Sequence, residues 1–223
     1  MPRCRSGLLI GVVVLGLAGC ASGVPPGARA DPGANERFAE LLGRMQRGDA
    51  VDFQELRRAY VETDLWAPYG HAEVDEREKE MVAALNSADF ERAGRLASEI
   101  LEWSPLHPEA HFAAYRWAKE QGDEARAKHH HGVMWGIFDS ICFERDGRDP
   151  ERPCWVVATD EENFYIAASG LEFKEQGLGD CPAAKCDFMT VVDPNSGERF
   201  DLHFDISAPW SYLERRMSAV AGR

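Results

Sequence analysis

The hydrophobic pattern of the chain changes its period near Cys142, and this change constrains the fold more than any other feature of the sequence. Before Cys142, apolar residues recur three and four positions apart, as on one face of an amphipathic helix. After it, short runs rich in β-branched and aromatic residues predominate, as in strands. The sequence therefore predicts an α+β fold. A helical region over residues 35–141 is followed by a small β-rich region over residues 142–223, which packs on the helices as one unit.

The helical region carries helix-start signals and an internal repeat. Asp52, with Glu55 three residues later, forms a capping-box pattern. Further along, Asp89 and Asp123 lie 34 residues apart, and each precedes a helical pattern. A 34-residue period resembles the tetratricopeptide repeat, which is a hairpin of two helices. We therefore predict a tetratricopeptide-like half, and an ordinary helical bundle with fortuitous spacing is the alternative.

The C-terminal region contains four runs that predict the strands of a small antiparallel sheet, at residues 154–159, 164–169, 187–193 and 199–206. Between the last two runs, residues 194–197 have the composition of a hairpin turn. Residues 209–220 predict a final helix. The sheet is therefore expected to complete a core that begins in the helices.

The first 19 residues predict a lipoprotein signal peptide. Arg3 and Arg5 precede an apolar stretch over residues 8–18, which is shorter than the roughly 20 residues that span a bilayer. The stretch ends in Leu-Ala-Gly-Cys20, which resembles the bacterial lipobox. The resemblance implies cleavage before Cys20, acylation of its thiol (as by palmitate) and, because Ala21 is not aspartate, an outer-membrane anchor on the periplasmic face. A plain signal peptide with an incidental cysteine is the alternative.

Residues 20–34 are rich in proline and glycine and lack apolar periodicity, so they predict a semi-extended tether. The whole chain has 38 acidic and 25 basic residues, a net charge of −13. This surplus of negative charge repels phosphate backbones and argues against nucleic acid as a partner. The bilayer is therefore expected to be reached through the lipid on Cys20 rather than through a basic patch.

Four cysteines remain in the mature C-terminal third: Cys142, Cys154, Cys181 and Cys186. An even, clustered set in an oxidising compartment predicts disulfides. Three connectivities are possible, and the local pairs 142–154 and 181–186 are favoured because short loops cost least to close. Zinc binding is the weaker alternative, since the spacing lacks paired Cys-x-x-Cys motifs.

Several segments resemble an uncharacterised bacterial family, the domain of unknown function 4919. They are the segment Phe53–Thr63, the triplet Pro68-Tyr69-Gly70, Asp146-Gly147 with Pro150, the run from Trp155, Glu161–Tyr165 and Phe200–Ile206. The resemblance covers roughly residues 51–206. It implies an α+β fold and names no activity. The four cysteines are not part of the family pattern.

Arg57, Tyr60 and Tyr69 are the candidate binding residues of the sequence. An arginine beside aromatic residues can line a pocket, or it can hold a loop through bonds to carbonyl oxygens, and we favour the structural role. Glu161 and Glu162 could form an acid/base pair, but adjacent carboxylates are more often solvated turn residues.

Histidines and acidic turns give no metal site that stands out. The run His129-His130-His131 points in different directions on a helix. His107 and His111 have i, i+4 spacing, but His107 is expected at a helix start. The stretch Asp193–Gly197 has its glycine one position too early for a calcium loop, so a turn accounts for it better.

The sequence contains no P-loop, no nucleophile elbow and no dinucleotide fingerprint. The leading hypothesis is therefore a membrane-anchored, non-enzymatic protein-interaction module that binds a protein or peptide and needs no cofactor and no metal. A cell-envelope hydrolase with an unidentified active site and a structural envelope lipoprotein are the alternatives.

Overall fold

The computed structural model describes residues 32–70 and 72–221. The described part of the chain begins with six helices: α1 (Pro32–Gln46), α2 (Phe53–Val61), α3 (Ala72–Asn86), α4 (Phe90–Trp103), α5 (Pro108–Glu120) and α6 (Glu124–Ile141). The remaining elements are β1 (Cys154–Trp155), α7 (Asp160–Ala168), β2 (Glu172–Cys181), β3 (Ala184–Val192), β4 (Arg199–Asp205) and α8 (Ser207–Ala221). The predicted α+β class is confirmed, with the helices mostly ahead of the sheet.

The helix starts follow from side-chain capping. Asp52 accepts hydrogen bonds from the backbone N–H groups of Gln54 and Glu55 at the start of α2. Asp89 and Asp123 cap α4 and α6 through one backbone N–H each. The 34-residue spacing therefore marks equivalent starts of two helices. A closer kinship with tetratricopeptide repeats stays a prediction.

The sheet has the strand order β1-β4-β3-β2. Strands β2, β3 and β4 pair antiparallel, whereas β1 pairs with β4 in parallel. The prediction of an antiparallel sheet was therefore wrong in one pairing, and the sheet is mixed. The parallel pairing arises because α7, β2 and β3 separate β1 from β4 along the chain, so the chain can return in the same direction.

One predicted strand and one strand that was not predicted also need correction. Residues 164–169 lie in and just after α7, because a short apolar run cannot distinguish a buried helix from a strand. Three acidic residues in the first turn of α7 favour a helix start there. Strand β2 escaped prediction because it lies at the sheet edge, is almost wholly exposed and carries little apolar pattern. The predicted final helix is confirmed as α8.

Two hydrophobic clusters form the interior. The larger cluster joins α1, α2 and α6 to the sheet and α7, with Phe38, Leu56, Ile137, Met189 and Phe204 among its fully buried side chains. The smaller cluster holds α3, α4 and α5 together and is rich in alanine. The helices therefore pack both against one another and against the sheet.

The four mature cysteines form the two favoured disulfides, Cys142–Cys154 and Cys181–Cys186. The first ties the end of α6 to β1, and the second ties β2 to β3 across their hairpin. Cys20 and the signal peptide lie outside the described residues. Among the described residues, no helix is both long and apolar enough to cross a membrane.

Candidate functional site

A cavity of about 130 Å³ lies where the α2–α3 loop, the start of α5 and the β1–α7 segment meet. We call it the seam cavity. Pockets for drug-sized ligands usually measure about 300–1,000 Å³. The seam cavity is therefore suited to a single small group rather than to a large ligand.

Three aromatic side chains form one wall of the seam cavity: Tyr60 from α2, and Trp66 and Tyr69 from the loop that follows. Trp66 is buried and its Nε1–H donates to the carbonyl of Val157 at 2.8 Å, so its indole ring is fixed in place. Tyr60 is 5% exposed, and burial raises the pKa of its hydroxyl to about 12. The hydroxyl therefore stays protonated at neutral pH.

The Pro68-Tyr69-Gly70 segment places the third ring. Gly70 adopts φ 74°, a conformation that costs glycine little, and its N–H donates to the carbonyl of Ala67 at 3.0 Å. A Cβ at this position would meet Asp75 Oδ1 at 2.4 Å. The glycine thus allows the tight turn that holds Tyr69 at the cavity rim, where it is 41% exposed.

Carboxylates and one histidine also line the seam cavity. His107 is 3% exposed and is the N-cap of α5, where its Nδ1 accepts from the N–H of Ala110 at 3.3 Å. Its Nε2 lies 3.8 Å from Glu78 Oε2 and 3.7 Å from Asp160 Oδ2. Glu109 Oε2 lies 3.5 Å from Nδ1. Three carboxylates therefore surround one buried imidazole.

The charges of this cluster shift each other's titration. Burial alone would lower the pKa of His107, but the contact with Glu78 and the charges of Asp160 and Glu109 outweigh it and raise the pKa to about 9. The contact with His107 lowers the pKa of Glu78. Burial, with the charge of Asp160, raises the pKa of Glu109 to about 8, and burial also raises the pKa of Asp160. The cluster therefore places three carboxyl groups with altered pKa values around one histidine.

A buried ion pair, Arg57 with Glu161, lies next to the seam cavity. Arg57 of α2 is fully buried, and its Nε donates to Glu161 Oε1 at 3.1 Å, with a second bond from Nη2 to Oε2. The guanidinium also donates to Ser140 Oγ at 3.2 Å and to the carbonyl of Trp155 at 3.0 Å. Glu161 in turn accepts from the N–H of Val157 at 2.8 Å. This network joins α2, α6, β1 and α7.

Glu162 faces the sheet. It is 1% exposed, its Oε1 has no hydrogen-bond partner, and burial together with the nearby charge of Asp187 raises its pKa to about 9. The interpretation of Glu161 and Glu162 as solvated turn residues was wrong. Both carboxyl groups are buried because α7 begins inside the molecule, between α2 and the sheet.

The sequence-predicted binding residues converge on this region. Tyr60 and Tyr69 line the seam cavity, while Arg57 lies behind it with all its hydrogen bonds inside the protein. Sequence reasoning missed Glu78 and Asp160, and it weighed His107 only with His111 as a possible metal-ligand pair. Only the proline after His107 hinted at its position, because Pro108 marks a helix start and hence a capping residue before it.

Three other histidines of the described residues, His111, His130 and His131, are engaged elsewhere. His111 is buried, and its Nδ1 lies 3.0 Å from Nδ1 of His130, while its Nε2 lies 3.0 Å from the carbonyl of Pro105. His131 accepts a bond from Trp135 Nε1 at 2.9 Å. Asp193 closes the predicted turn by accepting from the N–H of Asn195 at 2.8 Å.

A second, shallower depression of about 600 Å³ lies beside the Cys142–Cys154 loop. Its lining charges are of both signs, and two of its three arginines donate to the loop backbone. Arg145 donates to the carbonyl of Pro153 at 2.6 Å, and Arg152 donates to the carbonyl of Glu144. The seam cavity is the better candidate, although it is smaller, because it combines three carboxyl groups around a buried histidine with an aromatic wall.

The fold and the cavity define an α+β protein with an acidic, aromatic-lined recess where its helical and sheet parts meet. Residues 30–215 match the model of a family described as a domain of unknown function, DUF4919. The chain belongs to this family. No curated protein and no solved structure matches the chain.

Proposed function

We propose that this chain is a lipid-anchored protein of the cell envelope that binds a positively charged group in the seam cavity. The observation that carries the proposal is the pairing of an aromatic wall with a surplus of carboxylates around His107. Carboxylates attract a cation directly, and aromatic faces attract it through their quadrupole, more strongly where water is excluded. This proposal keeps the interaction-module hypothesis and locates recognition in the seam cavity.

The segments that resemble the family contribute residues to the seam cavity. Phe53–Thr63 contributes Tyr60, the Pro-Tyr-Gly triplet contributes Tyr69, and Glu161–Tyr165 follows directly on Asp160. Segments about a hundred residues apart in sequence thus meet around one cavity.

Binding is tested by calorimetry on the full-length protein in detergent, with methylguanidinium and butylammonium as cationic probes and acetamide as the neutral one. We expect the cations to bind and acetamide not to bind. Glu78→Gln and Asp160→Asn should each weaken binding at least about tenfold, the equivalent of roughly 1.4 kcal/mol. Glu76→Gln, an exposed acidic residue on the same helix, should leave it unchanged. Equal binding by all these proteins would refute a role for the seam cavity.

The lipid anchor has its own test, because it rests on residues 1–20 alone. Cells grown with an alkyne-tagged palmitate should label the protein, and the label should disappear in a Cys20→Ser variant, since the thiol forms the bond to the lipid. Two or more acyl chains anchor a protein durably, so the wild type should sediment with membranes and the variant should not. Unchanged labelling of the variant would contradict acylation at Cys20.

A further inference from the structure

Strand β2 forms a free edge of the sheet. It is the last strand in the order β1-β4-β3-β2, and its backbone pairs with β3 on one side. Among the described residues, no backbone hydrogen bond joins its other side to another element. The strand is 10 residues long and contains no proline, whereas proteins usually keep edge strands short or interrupt them with proline. β2 therefore presents a long row of backbone donors and acceptors that a further strand can bind.

The side of β2 that faces the helices is apolar and uncovered. The register with β3 places Phe173 opposite Val191 and Leu178 opposite Asp187, and both of these β3 residues are buried. Yet Phe173 is 47% exposed and Leu178 is 55% exposed. The helices that bury this face of β3 thus leave the same face of the edge strand open to a partner.

Two neighbouring residues of opposite charge lie on this edge, Lys174 and Glu175. The register with β3 shifts between Phe173 and Glu175, so β2 holds one extra residue there. The two charges form ion pairs with Glu172 and Arg199 of the same chain, but these pairs are exposed and contribute little. Charges on an edge keep most other strands away.

A second copy of β2 is the strand that these charges fit. When it runs antiparallel to the first, Lys174 of each copy can lie opposite Glu175 of the other. Opposite charges that face each other across two strands stabilise the pair, whereas like charges destabilise it. The order of the two charges therefore favours the chain's own edge over an unrelated strand.

The same antiparallel register matches the faces of the two strands. It sets Phe173 opposite Gln176 of the second copy, and both residues lie on the side of β2 that faces the helices, opposite buried residues of β3. It sets Leu178 opposite Leu171, the residue directly before β2, which packs against the larger hydrophobic cluster. The exposed leucine of each copy would therefore extend the core margin of the other.

We propose that two copies of this chain associate edge to edge through antiparallel β2 strands and join their sheets into one, with four strands from each copy. The two-fold axis passes between Lys174 and Glu175, so every contact occurs twice, as in an isologous dimer. The pairing does not involve the seam cavity.

Sedimentation equilibrium of the full-length protein in density-matched detergent tests the proposal. We expect a reversible monomer–dimer equilibrium. Lys174→Glu and Glu175→Lys should each weaken dimerisation at least about tenfold, because each sets like charges opposite one another twice. The combined Lys174→Glu/Glu175→Lys variant restores opposite charges and should dimerise nearly as the wild type does. Lys128→Glu, at an exposed position on α6, is the matched control and should leave dimerisation unchanged.

A cysteine pair tests the register itself. Glu172 and Gly177 lie roughly 17 Å apart along one strand, too far for a disulfide within one chain, but they face each other between the copies. A Cβ at Gly177 meets no atom within 4 Å, so a cysteine fits there. The Glu172→Cys/Gly177→Cys variant should give a covalent dimer on a non-reducing gel of cell envelopes, and neither single variant should do so.

Three results would overturn the proposal. One is a chain that stays monomeric up to its highest soluble concentration, which would leave the edge to a strand of another protein. Another is a dimer that both single charge reversals leave intact, since the copies would then meet on a different surface. The third is the absence of a covalent dimer in the double-cysteine variant while the protein dimerises, since the register would then be wrong.

Discussion

Replacing Arg57 with alanine is expected to lower the free energy of unfolding by about 3–5 kcal/mol, because breaking a buried ion pair leaves an uncompensated charge inside the protein. Glu161 would keep its bond from Val157 but lose both bonds to the guanidinium. The carbonyl of Trp155 would lose a donor as well. Urea unfolding of the oxidised protein, followed by far-ultraviolet circular dichroism, measures the change.

The control for this variant is its neighbour in α2. Arg58 is exposed and donates only to the side chain of Gln54 at 3.3 Å, so Arg58→Ala should change stability by less than about 0.5 kcal/mol. Arg57→Met combined with Glu161→Leu should recover much of the loss, because removing both charges is less costly than removing one. A single Arg57→Ala variant as stable as Arg58→Ala would show that the ion pair does not support the fold.

Removal of the Cys142–Cys154 disulfide is expected to cost about 3 kcal/mol, since the bond closes a loop of 12 residues and removes entropy from the unfolded chain. The bond also holds β1 beside α6, where Ser140 and Trp155 contact Arg57. The Cys142→Ser/Cys154→Ser double variant should therefore unfold at lower urea concentration than the wild type.

The second disulfide provides the comparison. Cys181 and Cys186 are five positions apart on one hairpin, so the loop they close is shorter. The model of loop entropy gives a smaller effect for the shorter loop. Cys181→Ser/Cys186→Ser should lose less stability than the other double variant, and the opposite order would contradict this account of the two bonds.

The sequence was sufficient to predict the parts of the fold that local chemistry determines. Capping by Asp52 could be predicted, because an N-cap depends only on the next few residues. The turn at Asp193 and the α8 helix could be predicted for the same reason. The disulfide pairs followed from short loops.

The errors arose where distant contacts decide the structure. The pattern of residues 164–169 predicted a strand. In the structure these residues lie in and just after α7, where apolar contacts with α6 and the sheet bury part of them. The exposed edge strand β2 gave no periodic signal, because no core lies against it. Local sequence patterns do not show which distant residues will pack against a segment in the folded protein.

The candidate site was predicted only in part, because its remaining residues meet through contacts between distant parts of the chain. Tyr60 and Tyr69 could be singled out because they lie in one continuous segment with Arg57. His107 and Asp160 are 53 positions apart, and only the packing of α5 against α7 brings them within 3.7 Å. The acidic half of the seam cavity therefore had no signal in the sequence.

The central claim is that the seam cavity receives a cation, and diffraction from crystals of the protein tests it most directly. Crystals grown with methylguanidinium should show its density between the aromatic wall and the carboxylates of Glu78 and Asp160. A well-ordered cavity that holds only water at a saturating concentration of methylguanidinium would contradict the account.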